Sequence, residues 1–215
     1  MKGVIFDFNG TLFFDNPKHV MAWSKISEMI RGRGISSEEL HTKCNGVTNK
    51  KIIEYLFNGS CTQREAEAYS QMKEKLYREY CQADTETFHL VKGAEAYFNA
   101  LKEKGIPFTI ASASIKENID FFVKSFHLDQ WINPEMIVYD DGSYEDKVAM
   151  YQQAAKNIAV PLKDCMIFED AISGIQCAYT AGCRNIVIVD SSGKANELRH
   201  LPGVVNEIQD FEHLV

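Results

Sequence analysis

The run KGVIFDFNGT, Lys2 to Thr11, decides how the rest of the chain is read. Val4, Ile5, Phe6 and Phe8 form a compact apolar stretch that stops at Asn9-Gly10, a turn signal. The stretch reads as a buried strand that delivers Asp7 to its carboxyl end. Working outward, the texture changes to helical period from about Asn16 to Ala83. Val20, Trp23 and Ile26, then Met29 and Ile30, recur at three- and four-residue steps, as do Ile52, Ile53, Leu56 and Phe57. Ser36-Ser37-Glu38-Glu39 has the form of a helix start, and a further helix is expected from Thr62 to Cys81.

After about Glu86 helices and strands alternate. Helices are expected over Ala94–Lys104, near Ile119–Phe126, over Val148–Ile158 and over Gly174–Ala181. The strands expected after them are Pro107–Ala111, Met136–Tyr139, Cys165–Phe168 and Asn185–Val189. Four helix-then-strand units added to the first strand predict an α/β fold: a parallel, Rossmann-like sheet with helices on both faces. The domain reading is an α/β core of residues 1–14 and 86–215, interrupted by an all-helical insert at 15–85.

Composition agrees with a folded, soluble-type chain. The 215 residues are 45% hydrophobic and 25% charged, which excludes general disorder. With 23 basic against 30 acidic side chains the net charge is −7, so no basic stripe for nucleic acid is expected. An anionic small substrate is still compatible, because one basic residue and a metal reverse the potential locally. Met1 to Phe8 lacks the apolar core of a signal peptide, and no run approaches the ~18 apolar residues of a membrane span. The six cysteines form no CxxC pair and read as reduced thiols rather than a zinc site. A cytoplasmic location, no membrane partner and a monomer are the resulting expectations.

In an open parallel sheet ligands bind beyond the carboxyl ends of the strands. The residues expected there are Asp7 to Thr11, Ser112-Ala113-Ser114, Asp140-Asp141 and Glu169-Asp170, with Lys147 opening the helix before the fourth strand. Acids, small hydroxyls and one lysine suit a magnesium ion and a phosphate: hard oxygen ligands for the metal, Lys and N–H or O–H donors for phosphoryl oxygens.

Four segments in order carry a resemblance: DFNGTL (Asp7–Leu12), ASAS (Ala111–Ser114), Lys147, and FEDAISGIQCAYTAG (Phe168–Gly182). With them the chain resembles the haloacid dehalogenase superfamily, specifically its β-phosphoglucomutase-like subgroup with a helical cap inserted after the first motif. The resemblance implies that Asp7 is a nucleophile that becomes an aspartyl phosphate. It implies Mg²⁺ held by Asp7, the backbone carbonyl of Asn9 and Asp170, with Glu169 beside it. Ser112 and Lys147 would grip the phosphate, and backbone N–H groups near Gly10, Thr11 and Ala113 would complete the cradle. Residues 15–85 would be the cap that closes over the site and selects the substrate.

The chain departs from the family pattern after Lys147, where Val148 stands in place of the usual proline, and two residues after Asp7. Most members carry an acid/base Asp two residues after the nucleophile; this chain has Asn9. An amide exchanges no proton at neutral pH, and a positioned acid/base contributes roughly 10²–10⁴-fold. The alternatives are a substrate with a good leaving group, a substitute such as His19 in the H-x-x-A-W run His19–Trp23, or a binding protein of low turnover. Asn9-Gly10 is also a sequence at which deamidation to Asp is expected. In the cap, His19, Trp23, Asn49 and Lys50 are the candidate substrate contacts, Asn49 standing where the mutases place an arginine. Lys lacks the planar fork of Arg, so the reading favours a phosphatase of small phosphorylated metabolites. A sugar-phosphate mutase and a phosphate-ligand binder are its alternatives. A response-regulator receiver is excluded by the order of its motifs.

Overall fold

The computed structural model describes residues 1–44, 48–193 and 195–214, with the Ser37 and His41 side chains outside the description. The chain forms two compact units, Met1–Phe14 with His89–Val215, and Asp15–Phe88.

The first unit contains six strands: β1 Gly3–Phe6, β2 Phe108–Ile115, β3 Val138–Asp140, β4 Cys165–Glu169, β5 Ile186–Val189 and β6 Val204–Ile208. All pair in parallel, in the order β3-β2-β1-β4-β5-β6, with β1 central between Phe108 of β2 and Met166 of β4 at Val4. Such a sheet is covered on both faces, so its central strands are apolar without alternation. Every residue of GVIF in β1 and of IVIV in β5 is buried. Alternation along β1 sends Ile5 and Phe6 to opposite faces. Ile5 joins Ala111, Ile167 and Ile188 against Tyr151, Ala154, Ile175 and Ala178 of the covering helices. Phe6 stacks on Phe168 at 5.1 Å and meets Phe98 edge-on at 5.3 Å and Phe211 at 5.9 Å. Aromatic pairs of this kind contribute about 0.5–1.5 kcal/mol each beyond burial.

Three strand expectations need correction. Strand β2 runs on through Ser112 to Ile115, with a register irregularity against β3 after Ala111. Polar Ser112 and Ser114 do not stop it, because it still pairs at Ile115 with Asp140. Strand β3 begins at Val138, two residues later than expected, because Pro134–Met136 forms a 3₁₀ turn. Strand β6, VVNEI, was not anticipated; it is an edge strand, half-exposed, and lacks a continuous apolar run.

Among the described residues the second unit is helical: α1 Asn16–Arg31, α2 Ser37–Lys43, α3 Asn49–Leu56 and α4 Gln63–Ala83. Its boundaries follow local chemistry. Gly32 takes φ +74° and donates its N–H to Glu28 to end α1. The Ser36 hydroxyl accepts from the Glu39 N–H to start α2. Thr62 and Glu65 form a reciprocal capping box at α4. Trp23, Ile26, Ile35, Leu40, Ile52, Ile53, Leu56 and Ala66 make its core. Met29, expected among the apolar periodic positions, is instead 48% exposed.

The remaining helices, α5 Ala94–Glu103, α6 Lys116–Phe126, α7 Lys147–Asn157, α8 Ile172–Ala181 and α9 Ala195–Leu198, belong to the α/β unit. All six cysteines are free, and burial pushes the thiols of Cys81 and Cys165 up to about 12. Among the described residues no helix is long and apolar enough to cross a membrane.

Candidate active site

Asp7 is the first residue beyond β1, and its N–H donates to the Phe168 carbonyl at 3.0 Å. The chain then turns sharply. The Phe8 carbonyl accepts from the N–H groups of Thr11, Leu12 and Phe13 at 3.2, 2.8 and 3.1 Å, and the Gly10 N–H donates to Phe13 O at 2.7 Å. Gly10 has φ +78°, and a Cβ there would lie 2.1 Å from Asp170 Oδ2. Glycine is therefore required twice, for the turn and for the approach of β1 to the residue after β4.

That approach gathers Asp7, Glu169 and Asp170, which offer carboxylate oxygens all within 4.8 Å of one another. Lys147, the first residue of α7, donates to Asp7 Oδ1 at 2.7 Å and also to Glu169 Oε1. Glu169 is 0% exposed. Its Oε1 accepts from Tyr151 Oη at 2.7 Å and its Oε2 from the N–H groups of Asp170 and Ala171 at 2.9 and 3.0 Å. Gly174 makes room for it: a Cβ would sit 1.7 Å from Glu169 Oε1. Asp170 is less committed, accepting from Ser191 Oγ at 3.3 Å.

Three carboxylates against one ammonium leave two formal negative charges, and burial makes that costly. Burial, with the charge of Glu169, pushes Asp7 up to about 7 against the opposing effect of Lys147. Asp170 rises to about 8 through burial and repulsion from Glu169 and Asp7. For Lys147 burial acts downward, but Asp7 and Glu169 outweigh it and hold the ammonium above its ordinary value.

Beside the trio, the Asn9 side-chain carbonyl accepts from Ser114 Oγ at 2.7 Å and Ser112 Oγ at 3.3 Å, while Ala113 is exposed within β2. Thr11 Oγ1 is buried without a hydrogen-bond partner. A buried hydroxyl left so is a site of spare donor capacity. The expected cradle changes accordingly. The Gly10 and Thr11 N–H groups are used by the turn itself, so the Thr11 hydroxyl rather than its amide faces an unmet partner. Deamidation at Asn9 is also opposed by this geometry, since it needs the Gly10 nitrogen that the Phe13 carbonyl holds.

The sequence pattern of haloacid dehalogenase-like hydrolases matches residues 4–188. The chain belongs to the haloacid dehalogenase-like hydrolase family. The hydrolase is similar to a family IA, variant 3 HAD hydrolase from Entamoeba histolytica: 35% identical, covering 100% of this chain and 96% of that one, with a TM-score of 0.93. It is similar to hexitol phosphatase A of Escherichia coli, at 24% identity over 212 residues, 98% of this chain and 93% of that protein. It shares the fold of β-phosphoglucomutase from Clostridium difficile, with a TM-score of 0.76 at 20% identity, covering 100% of this chain and 93% of that one.

Within the helical unit of the hydrolase, the residues expected to touch substrate are placed differently. Trp23 is 5% exposed in the core of that unit, so it packs rather than reads a ligand. His19 has both ring nitrogens engaged, Nδ1 at 2.9 Å from Lys73 Nζ and Nε2 at 3.1 Å from Asp15 Oδ2, and its ring stacks on Tyr77 at 4.1 Å. An ammonium only donates, so Nδ1 accepts and the ring hydrogen lies toward Asp15. Asn49 Nδ2 donates to Glu74 Oε1 at 2.7 Å and Ser70 Oγ at 3.2 Å, tying α3 to α4. Lys50 is exposed, and its neighbours Gly46 and Val47 lie outside the described residues.

Sequence reading gave Tyr151 no role, and it held Ser114 and Gly174 within motifs without assigning their contacts to Asn9 and Glu169. Tyr151 had a usable signal, one turn after Lys147 on the same face of α7. The missing proline after Lys147 also has a cause: the Val148 and Ala149 N–H groups both donate to Asp146 Oδ1, at 2.9 and 3.2 Å, and proline at 148 would remove one of these bonds.

Proposed function

We propose that this hydrolase is a Mg²⁺-dependent phosphatase of small phosphorylated metabolites, with Asp7 as the nucleophile. The observation that carries the reading is a buried nucleophilic carboxylate held by an ammonium and faced by two more acids at the mouth of a parallel sheet.

The donor set fits a hard divalent cation. Only oxygens face one another there, two negative charges are uncompensated, and burial with the charge of Glu169 pushes up both Asp7 and Asp170. Asp7 and Asp170 would hold it; Glu169, whose oxygens already accept from Lys147, Tyr151 and two backbone N–H groups, would anchor Lys147 and the start of α8. Bound there, Mg²⁺ supplies charge neutralisation for nucleophile and phosphoryl oxygens.

The chain's own groups do the rest. Lys147 orients one Asp7 oxygen and leaves the other to attack phosphorus in line. The P–O bond to the leaving group breaks as the Asp7–phosphorus bond forms, and water then attacks that aspartyl phosphate to release inorganic phosphate. The Thr11 and Ser112 hydroxyls and Lys147 would hold the phosphoryl oxygens. Asn9 offers hydrogen bonds but no proton transfer, so it stands in the acid/base place as a positioning group.

The named activity of the Escherichia coli relative points to hexitol phosphates as the first substrates to try. The mutase reading is less favoured because Asn49 is committed to Glu74 and Ser70. Phosphate release from a panel of sugar, polyol and acyl phosphates with Mg²⁺ tests the proposal. Activity abolished by Asp7→Ala and by EDTA supports it; tight phosphate binding with no turnover of any substrate would instead make the protein a binder.

A further inference from the structure

We infer that Tyr151 is a positioning residue for the reaction at Asp7: its hydroxyl occupies Glu169 so that the Lys147 ammonium stays shared with the nucleophile. The inference rests on Asp7 being the nucleophile, as proposed above.

Lys147 stands between two carboxylates, donating to Asp7 Oδ1 at 2.7 Å and to Glu169 Oε1. The two compete for one ammonium, and Glu169 is fully buried, so no solvent weakens its claim. Tyr151 Oη meets the same Glu169 Oε1 at 2.7 Å. An ionised carboxylate only accepts, so the phenol is the donor. Glu169 Oε2 takes the N–H groups of Asp170 and Ala171. These three neutral donors share the carboxylate with Lys147. Stripped of the one on Oε1, a buried carboxylate draws harder on the donor that remains there. The ammonium then shifts towards Glu169 and off Asp7 Oδ1, and the nucleophile loses its aim.

The helix builds this arrangement. Tyr151 lies one turn after Lys147 on α7, so the two side chains share a face. The centre of its ring is 5.6 Å from Lys147 Nζ, within range of a cation–π contact. The ring is 0% exposed in the core that also holds Ile5, Ile167 and Ile175. Phenylalanine would fill the same space. What the hydroxyl adds is the bond to Glu169.

The test compares full chains with Mg²⁺: wild type, Asp7→Ala and Tyr151→Phe. Sorbitol 6-phosphate, glucose 6-phosphate and acetyl phosphate serve as the polyol, sugar and acyl probes. On the best of the three, Tyr151→Phe should lower kcat about 10–100-fold. KM should change little, because the aim of the nucleophile is felt in the transition state. A hydroxyl that only supported the fold would lower the melting temperature and leave kcat at the wild-type value. Tyr151→4-aminophenylalanine keeps a donor on the same ring and should recover most of the loss. In a Glu169→Gln background, Tyr151→Phe should alter kcat less than about threefold, since the competing charge is gone. Wild-type kcat in Tyr151→Phe, with Asp7→Ala inactive, overturns the inference and leaves the nucleophile assignment standing. A rise in KM alone, no recovery with the amine, or losses that multiply in the double variant also overturn it. Asp7→Ala as active as the wild type, or a wild type inactive on all three probes, overturns the nucleophile assignment and the inference with it.

Discussion

One lysine organises each of the two units, and the two do so to opposite ends. Lys73, in α4, is 3% exposed and pairs at 2.8 Å with Glu74, itself 6% exposed, while its ammonium faces the rings of Trp23 and Tyr77 at 5.4 Å. Around it Glu74 also receives Asn49, Asp15 receives Tyr77 and His19, and Lys18 pairs with Asp84 and Thr87. Every carboxylate in that cluster has a donor of its own, so the cluster holds helices together. Lys147 instead serves two carboxylates, with a third beside them. The difference teaches that burial of charge marks a reactive site only where the charges fail to cancel.

That contrast can be broken in graded ways. The largest effect is expected from Asp7→Asn, which should lower turnover roughly 10⁴-fold or more. It should also raise the melting temperature of metal-free protein, by removing a buried, uncompensated charge. Lys73→Met should cost about 3–5 kcal/mol of stability by urea denaturation, because Glu74 is left buried without the ammonium that balances its charge. Lys147→Met should cost less stability than Lys73→Met, since Asp7 and Asp170 take up protons readily; equal losses would erase the distinction drawn here. Gly174→Ala should cost about 1–3 kcal/mol, because the new methyl displaces the Glu169 carboxylate. The smallest change is Thr62→Ala, at about 1 kcal/mol, from loss of the α4 capping box with turnover unaltered.

How legible each cluster was in the sequence follows the same contrast. Strand ends are fixed by sheet topology, so Asp7, Ser112, Glu169 and Asp170 could be placed at one edge from apolar runs alone. Lys147 at a helix start could be placed the same way. The spare capacity of Thr11 Oγ1, the Ser114 bond to Asn9 and the fit of Gly174 against Glu169 depend on ångström-scale approach, which no periodicity encodes. In the helical unit the pattern gave the helices but not their mutual rotation. Trp23 and Asn49 therefore read as substrate contacts when they pack and cross-link α-helices. Edge strand β6 was missed because Asn206 and Glu207 break its apolar run.

Magnesium calorimetry on metal-free protein tests the central claim, that the cluster at Asp7 is an uncompensated anionic site fitted to a divalent cation. Asp7 and Asp170, at about 7 and about 8, lie above the unfolded aspartate value, so the folded metal-free protein binds extra protons. Its stability should fall as pH rises from about 4 towards 8, and Mg²⁺ should restore what is lost. The predicted titration shows one Mg²⁺ per chain with proton release at pH 7. That release should be read from buffers of different ionisation enthalpy, vanish by pH 9.5, and be accompanied by binding lost in Asp170→Asn. Absence of binding, or binding unchanged by Asp170→Asn, would contradict the account.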